Sequence, residues 1–395
     1  MPPRRPKLVG FDQVLQYVRR LLFFGLMFLL PGYVAWRLLS AFQLPIWGVA
    51  LGVAALIALC IMLPMSMRTR AIRDPVWADR LSWLGLTAMG FFSSLMVLTV
   101  LRDLLLLAVR LVAGAQAQAA WDASSAIATL LITALVTAIG MSIARGRPRV
   151  VKVEIPVSDL PEGLRGFSIA QISDVHVGAT IKRPFVERVV SRVNALRADM
   201  IAVTGDLVDG SVSNLASHTA PLAGLTSRHG AFFVTGNHEY YSGEPAWTAE
   251  LRRLGLRVLK NEHVVLQHNG AALVLAGVTD FSAHHFDPGQ QSDPAKALRG
   301  APSAAGAKIL LAHQPSSAEA AANAGFDLQL SGHTHGGQFW PWNLFVGFFQ
   351  PFTGGLNRLR DLWVYVNRGT GYWGPPNRFG VPSEITHIRL VPAAP

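Results

Sequence analysis

Cysteine is almost absent from this chain, since the only one among its 395 residues is Cys60, in an apolar run. A single cysteine excludes an intrachain disulfide framework and a cluster of thiolate metal ligands. Acidic residues are scarce in residues 1–149, which contain 5 Asp and Glu against 15 Lys and Arg, and histidine is missing there. The composition therefore permits a reducing compartment and assigns any histidine chemistry to the rest of the chain.

Residues 150–395 contain 20 Lys and Arg and 19 Asp and Glu, so they lack the basic excess that is typical of a nucleic-acid groove. We therefore expect no nucleic-acid partner. All twelve histidines lie at or after His176, which collects candidate metal ligands in this half of the chain.

Long apolar runs are confined to the first 149 residues. Each has about the ~20 residues that a helix needs to cross a bilayer, which predicts a transmembrane anchor in contact with the lipid bilayer. A buried helical hairpin of a soluble protein is the alternative. The four predicted spans are Leu21 to Leu39, Ile46 to Met67, Trp83 to Leu101 and Ser124 to Ala144.

Basic residues flank these runs unevenly, and their asymmetry predicts the orientation. They precede the first run, separate the second from the third, and follow the fourth at Arg145, Arg147 and Arg149. Both termini are expected to face the cytoplasm of a bacterial cell, with the chain multi-pass in the inner membrane. The paired Arg19 and Arg20 before an apolar core also fit an export signal, although no clear cleavage site follows.

After residue 149 the pattern changes to short apolar strands that alternate with amphipathic helices. Five of the strands end in polar residues, and the carboxyl ends of strands in α/β sheets are where ligand-binding loops meet. The clusters are "SDVHVG" with Asp174 and His176, "TGDLVDG" with Asp206 and Asp209, "TGNHEY" with Asn237, His238 and Glu239, "LAHQP" with His313, and "SGHTHGG" with His333 and His335.

This set, in this order over residues 167–337, resembles the calcineurin-like metallophosphoesterase family and its signatures D-x-H, G-D-x-x-D, G-N-H-[DE], H and G-H-x-H. The resemblance implies an αββα sandwich with a dinuclear metal site at the carboxyl-terminal tips of the strands. With the apolar part it predicts two domains, a four-helix transmembrane anchor over residues 1–149 and a metallophosphoesterase domain over residues 150–395.

Phosphoester hydrolysis needs an activated water and neutralised phosphoryl oxygens, and two divalent cations roughly 3.5–4 Å apart supply both. Ligands of mixed carboxylate, imidazole and amide type favour Mn, Fe or Zn. The resemblance implies that Asp174, His176 and His335 hold one metal, that Asn237, His313 and His333 hold the other, and that Asp206 bridges the two. It further implies that His238 is the acid for the leaving group, oriented by Asp209, while Glu239 is structural.

Aromatic residues are concentrated in "FWPWNLFVGFFQPF", with seven in fourteen residues from Phe339 to Phe352. This segment is either a packed corner of the fold or an apolar lip for a bilayer or an acyl chain. His284 and His285 either decorate a loop or touch substrate. Arg368 and Arg378 either approach a substrate phosphate or pair with a carboxylate such as Glu384.

The predicted function is hydrolysis of a phosphodiester, phosphomonoester or pyrophosphate bond by a membrane-anchored enzyme. The anchor, the aromatic segment and a resemblance of the C-terminal end to lipid-precursor phosphoesterases favour a lipid-linked substrate. Two alternatives stay open: a phosphoesterase acting on soluble nucleotides or phosphoproteins, and a non-catalytic metal-binding membrane sensor.

Overall fold

The computed structural model describes residues 25, 28–68, 72 and 74–393. They divide into two compact units whose boundary falls between Thr137 and Ala138. The predicted domain boundary between residues 149 and 150 stays a prediction. The helices are α1 (Phe28–Phe42), α2 (Ile46–Arg68), α3 (Pro75–Arg145), α4 (Arg183–Asn194), α5 (Val212–Thr219), α6 (Asn237–Ser242), α7 (Glu244–Arg253), α8 (Pro294–Ala297) and α9 (Ala318–Ala324).

The second unit contains two mixed six-stranded sheets, with strand orders β1-β12-β2-β3-β4-β5 and β10-β11-β9-β8-β7-β6. Strands β2 to β5 are mutually parallel, as are β7, β8, β9 and β11. The strands are β1 (Arg149–Val157), β2 (Ser168–Ile172), β3 (Met200–Val203), β4 (Ala231–Phe233), β5 (Arg257–Val258), β6 (Glu262–His268), β7 (Ala271–Gly277), β8 (Ala307–Leu311), β9 (Leu328–Ser331), β10 (Gly355–Leu359), β11 (Leu362–Val366) and β12 (Glu384–Pro392).

The sheets pack face to face because alternate side chains of each point into a shared core. Ile169 and Met200 of the first sheet lie in one buried cluster with Leu275 and Ile309 of the second. Helix α4 covers the outer face of the first sheet, and its buried residues Phe185, Val186, Val189, Val190 and Val193 follow the helical period. Helix α9 packs on the outer face of the second sheet. This confirms the predicted α/β fold with two sheets.

The first unit contains α1, α2 and most of α3. Gly114 interrupts α3 with a non-helical φ of 87°. Arg102, before this break, donates hydrogen bonds to Ser125 and Asp122 after it, so the two arms of α3 lie side by side. Arg37 of α1 forms a two-pronged ion pair with Asp103, at 2.7 and 2.8 Å. Paired charges of this kind lower the cost of ionised groups in an apolar helix bundle.

The part of the chain that the structure describes does not clearly show four separate transmembrane helices. Within the described residues one helix, Val76–Arg145, is long and apolar enough to cross a membrane, while Phe28–Phe42 and Ile46–Leu59 are shorter apolar helices. The third and fourth predicted spans both lie in α3, on either side of the break at Gly114. The start of the first predicted span, the pair Arg19 and Arg20, and several basic residues that predict the orientation lie outside the described residues.

Candidate metal centre

All nine predicted site residues follow strands of the two sheets, at the edge where the parallel strands end. Asp174 and His176 follow β2, Asp206 and Asp209 follow β3, and His313 follows β8. The same edge receives Asn237 and His238 after β4, and His333 and His335 after β9. The backbone has positive φ at five of them, Asp174, His176, Asp206, His333 and His335. Non-glycine residues rarely adopt this conformation, and such strain is concentrated at functional sites.

Asp174, His176 and His335 form the first cluster of potential ligands, and all three are buried. Nε2 of His335 lies 3.3 Å from Oδ1 of Asp174 and 3.1 Å from Nε2 of His176. Burial lowers the pKa of His335 to about 4, assisted by the charge of Arg378 and opposed by Asp174. Burial opposes ionisation of Asp174, but the neighbouring imidazoles outweigh it and hold the pKa of this carboxyl well below its usual range. A carboxylate beside a neutral imidazole is the state that a cation requires.

Asp206, His313 and His333 form the second cluster. Nε2 of His313 lies 3.1 Å from Oδ2 of Asp206 and 3.2 Å from Nδ1 of His333. Nδ1 of His313 donates to the carbonyl of Thr204 at 2.8 Å, which leaves Nε2 as the nitrogen that faces the cluster. Metal-binding histidines are commonly oriented by such a hydrogen bond.

Asp206 also belongs to a third group, with His176 and His238, and this places it between the two clusters. Its Oδ2 lies 3.9 Å from Nε2 of His176. Asn237 adds an acceptor, because its Oδ1 is buried and has no hydrogen-bond partner in the described part of the chain. A shared carboxylate, imidazole nitrogens and an unpaired amide oxygen are suitable ligands for divalent cations of the Mn, Fe or Zn type. The residues therefore fit the predicted metals.

Glu239 stabilises the loops that carry the ligands. Its buried carboxylate accepts backbone N–H groups of Asp206 at 3.0 Å, Leu207 at 2.8 Å and Gly236 at 2.7 Å. It thereby joins the loops after β3 and β4. Burial and the charge of Asp206 raise the pKa of Glu239 to about 8, against the effect of the backbone donors. The geometry agrees with the structural role predicted for this residue.

His238 and Asp209 form a hydrogen-bonded pair beside the two clusters. Nδ1 of His238 lies 2.5 Å from Oδ1 of Asp209, and the His238 side chain is 13% exposed. Burial lowers the pKa of this imidazole, but the hydrogen bond to Asp209 and the charges of Asp206 and Asp209 outweigh it and raise the pKa to about 9. An imidazolium with one exposed edge can donate a proton to a departing oxygen.

Arg378 is not a substrate ligand, although the sequence left that role open. Its side chain is fully buried, and all five N–H groups have acceptors within the protein. Nε and Nη2 donate to the carbonyl of Gly371, Nη1 donates to the carbonyls of Arg368 and His335, and Nη2 also donates to Nδ1 of His335 at 3.0 Å. Arg378 therefore fixes the His335 ring with Nε2 turned toward Asp174 and His176.

Contacts bear on two further assignments that the sequence left open. Nη1 of Arg368 lies 3.5 Å from Oε2 of Glu384, which agrees with the carboxylate-paired alternative. His284 and His285 lie in a short 3-10 helix with their rings 3.9 Å apart, and Nδ1 of His284 pairs with the carbonyl of Phe281. These contacts agree with the loop interpretation of both histidines.

Replacing Arg378 with methionine should reduce the free energy of unfolding by about 3 kcal/mol or more. Methionine fills much of the volume, but it leaves the carbonyl of Arg368 and Nδ1 of His335 without a donor and removes donors from the carbonyls of Gly371 and His335. Chemical denaturation of the full chain in detergent, followed by tryptophan fluorescence, measures the change. The control is Arg389→Met on the exposed side of β12. Equal stability of the two variants would contradict the structural role of Arg378.

Two further residues support the site, and sequence reasoning missed the first of them. Thr204 acts through its main-chain carbonyl, which side-chain patterns do not report. Gly205 has a φ of 86°, and a Cβ there would lie 2.6 Å from Nδ1 of His313 and 2.7 Å from the Gly236 nitrogen. Glycine is thus required in "TGD" for two reasons, which are the positive φ at this position and the close approach of the loops that follow β8 and β4. The motif indicates from the sequence that glycine is needed here, but it does not indicate the close approach of the loops.

Comparison with known proteins agrees with this geometry. Residues 167–337 match the family described as calcineurin-like phosphoesterase. A Danio rerio protein named transmembrane protein with metallophosphoesterase domain is 38% identical over 327 residues, which cover 80% of this chain and 74% of that protein. A Bos taurus protein of the same name is 40% identical over 67% of this chain and 62% of its own length.

An uncharacterized metallophosphoesterase of Helicobacter pylori is 39% identical over 62% of this chain and 65% of that protein. The chain thus spans somewhat less than two thirds of the bovine and bacterial relatives. The match over most of the length of the Danio rerio protein, together with the motif-bearing residues 167–337, decides the assignment. This chain belongs to the calcineurin-like phosphoesterase family and is a metallophosphoesterase, a hydrolase of phosphoesters.

Proposed function

We propose that the chain is a membrane-tethered phosphoesterase that uses two divalent cations to hydrolyse a phosphodiester, phosphomonoester or pyrophosphate bond on a lipid or lipid precursor. The observation that carries the two-cation proposal is the position of Asp206. Its carboxylate lies between the cluster of Asp174, His176 and His335 and the cluster of His313 and His333.

In this proposal the seven ligands are Asp174, His176, Asp206, Asn237, His313, His333 and His335. When bound, the two cations would neutralise phosphoryl oxygens and make a water nucleophilic at neutral pH. The protein residues fix the reacting groups: Glu239 holds the loops that carry Asp206 and Asn237, and Asp209 keeps His238 protonated. His238 then delivers its proton to the departing oxygen.

The lipid part of the proposal is supported by the aromatic segment that follows the last ligand loop. Phe339 is packed, but Trp342, Leu344, Phe345, Phe348 and Phe349 are exposed, the last two by 81% and 80%. A packed corner does not account for these side chains. A continuous apolar surface of this kind is typical of a lipid or membrane contact.

The membrane topology is proposed on the same basis. The relatives from Danio rerio and Bos taurus are named transmembrane proteins, and α3 has the length and composition of a membrane helix. Helices α1 and α2 and the two arms of α3 on either side of Gly114 give four proposed crossings. With the basic residues Arg145, Arg147 and Arg149 after the last, the catalytic unit would face the cytoplasm of the bacterial inner membrane.

The test uses the full chain in detergent, stripped with a chelator and reloaded with Mn²⁺, Fe²⁺ or Zn²⁺. We expect two ions per chain by elemental analysis and hydrolysis of bis-p-nitrophenyl phosphate that rises with loading. Among physiological types of substrate, long-chain phospholipid esters should exceed their short-chain analogues. Equal turnover of soluble nucleotide esters or phosphoproteins would favour the soluble-substrate alternative, and bound metal without turnover would favour a sensor.

A further inference from the structure

Two aromatic rings that the metal centre does not use lie beside the partly exposed imidazole of His238. The imidazole is 5.3 Å from the ring of Tyr241 and 5.6 Å from that of Trp373, both in edge-to-face orientation. Tyr241 is 53% exposed and Trp373 is 49% exposed. Phe286, 47% exposed, extends this surface and lies 5.4 Å from Tyr241. We call Tyr241, Trp373 and Phe286 the aromatic rim.

Both neighbours of His238 are held in place by the fold. Tyr241 lies three residues after His238 on α6, so the two side chains share one face of the helix. Trp373 lies in the loop after β11, and the buried side chain of Gln338 forms hydrogen bonds with its backbone. Nε2 of Gln338 donates to the carbonyls of Trp373 at 2.8 Å and Pro375 at 3.0 Å, while its Oε1 accepts the Trp373 N–H at 2.8 Å. A half-exposed ring on a backbone held in this way is suited to binding.

We infer that the aromatic rim is the subsite for an apolar leaving group, so that the substrate binds with its hydrocarbon on the His238 side and its transferred phosphoryl group on the ligand side. The inference rests on the proposed function. Because His238 serves the departing oxygen, side chains around its exposed edge contact whatever is attached to that oxygen. The three rim residues are uncharged and present ring surface, which favours an alkyl or acyl-bearing alcohol over a charged one.

The reaction in this orientation is an ordinary hydrolysis. The oxygen of water forms the new bond to phosphorus, and the bond between phosphorus and the alcohol oxygen breaks with its electron pair remaining on that oxygen. The proton of His238 passes to the departing oxygen, and the proton released by water restores the imidazolium. The apolar alcohol is released along the aromatic rim.

Methyl octyl phosphate tests the orientation, because either of its two primary alcohols can leave and their intrinsic reactivities are similar. The full chain loaded with Mn²⁺ is incubated with this diester below its micelle concentration, and the products are separated by mass spectrometry. We expect methyl phosphate to exceed octyl phosphate by about tenfold or more, the effect of burying roughly two methylene groups. The ratio does not depend on the amount of active enzyme, so partial misfolding or incomplete metal loading does not alter it.

The double variant Tyr241→Ala and Trp373→Ala should bring the product ratio to within about threefold of unity. The matched control, Tyr241→Phe with Trp373→Phe, retains ring surface and should keep most of the selectivity. A wild-type excess of octyl phosphate would overturn the inference, and so would a ratio unchanged in the alanine variant. Hydrolysis of bis-p-nitrophenyl phosphate without hydrolysis of methyl octyl phosphate would also overturn it. Failure to hydrolyse either ester would instead refute the proposed function.

Discussion

Asparagine in place of Asp206 is expected to lower kcat by about a thousandfold or more and to reduce the bound divalent metal. Oδ2 of Asp206 lies 3.1 Å from Nε2 of His313 and 3.9 Å from Nε2 of His176, so its charge serves both clusters. The amide has the same shape but no charge. Loss of roughly 4 kcal/mol of electrostatic stabilisation corresponds to about a thousandfold in rate.

The fold should survive this substitution. The backbone N–H of His238 donates to Oδ1 of Asp206 at 2.9 Å, and the carbonyl of asparagine can accept the same bond. Hydrolysis of bis-p-nitrophenyl phosphate and elemental analysis are measured on the full chain, with Asp361→Asn in the exposed turn before β11 as the matched control. If Asp206→Asn retained its metal and more than about a tenth of the activity, the bridging role would be wrong.

The position of the candidate site was predictable because buried parallel strands carry a strong sequence signal. "SIAQI" and "MIAV" are short apolar runs, and each is followed by acids that a strand core would not tolerate. Parallel strands bring such tips to one edge, which is why Asp174 and Asp206 meet although they are far apart in sequence. Hydrophobic periodicity alone does not predict that the strand ends of two sheets meet at one site. The resemblance to a family was needed to predict this.

The supports of the site were less predictable, because they depend on long-range contacts. Arg378 and Arg368 look alike in sequence, yet one is fully buried beneath His335 and the other is paired with Glu384 near the surface. The left-handed backbone at Asp174 and His333 also has no sequence signal, since neither residue is glycine. Tertiary packing imposes these conformations.

The apolar half illustrates the same limit. Hydropathy located the long apolar stretches but did not place the break between the third and the fourth at Gly114. Arg102 and Asp103 directly follow the third predicted span, which ends at Leu101. In the structure they pair with Asp122 and Arg37, which lie 20 and 66 residues away and carry no local signal of the partnership.

Replacing His238 with alanine should lower kcat for alkyl phosphoesters by about 10²–10⁴-fold, the usual contribution of a general acid. An alkoxide is a poor leaving group unless it is protonated, whereas p-nitrophenolate departs readily without a proton. Bis-p-nitrophenyl phosphate should therefore lose far less activity than methyl octyl phosphate. Nε2 of His238 lies 4.0 Å from Oδ2 of Asp206, close enough for a ligand role to be considered. Loss of bound metal, together with an equal loss of activity on both esters, would establish His238 as a metal ligand and contradict its role as the general acid.

Replacing Asp209 with asparagine tests the role of His238 as the general acid, because it changes the pKa of the His238 imidazole. Burial lowers the pKa of His238, and the hydrogen bond to Asp209 with the charges of Asp206 and Asp209 raises it to about 9. A raised pKa keeps the imidazole protonated below that value, so its acid form is lost as pH rises. Without the Asp209 carboxylate the pKa falls, and activity on alkyl esters should decline at a lower pH than in the wild type while recovering toward acidic pH. Because the amide retains the shape of the carboxylate, a merely structural role would lower activity equally at every pH, and pH profiles of the two proteins distinguish the outcomes.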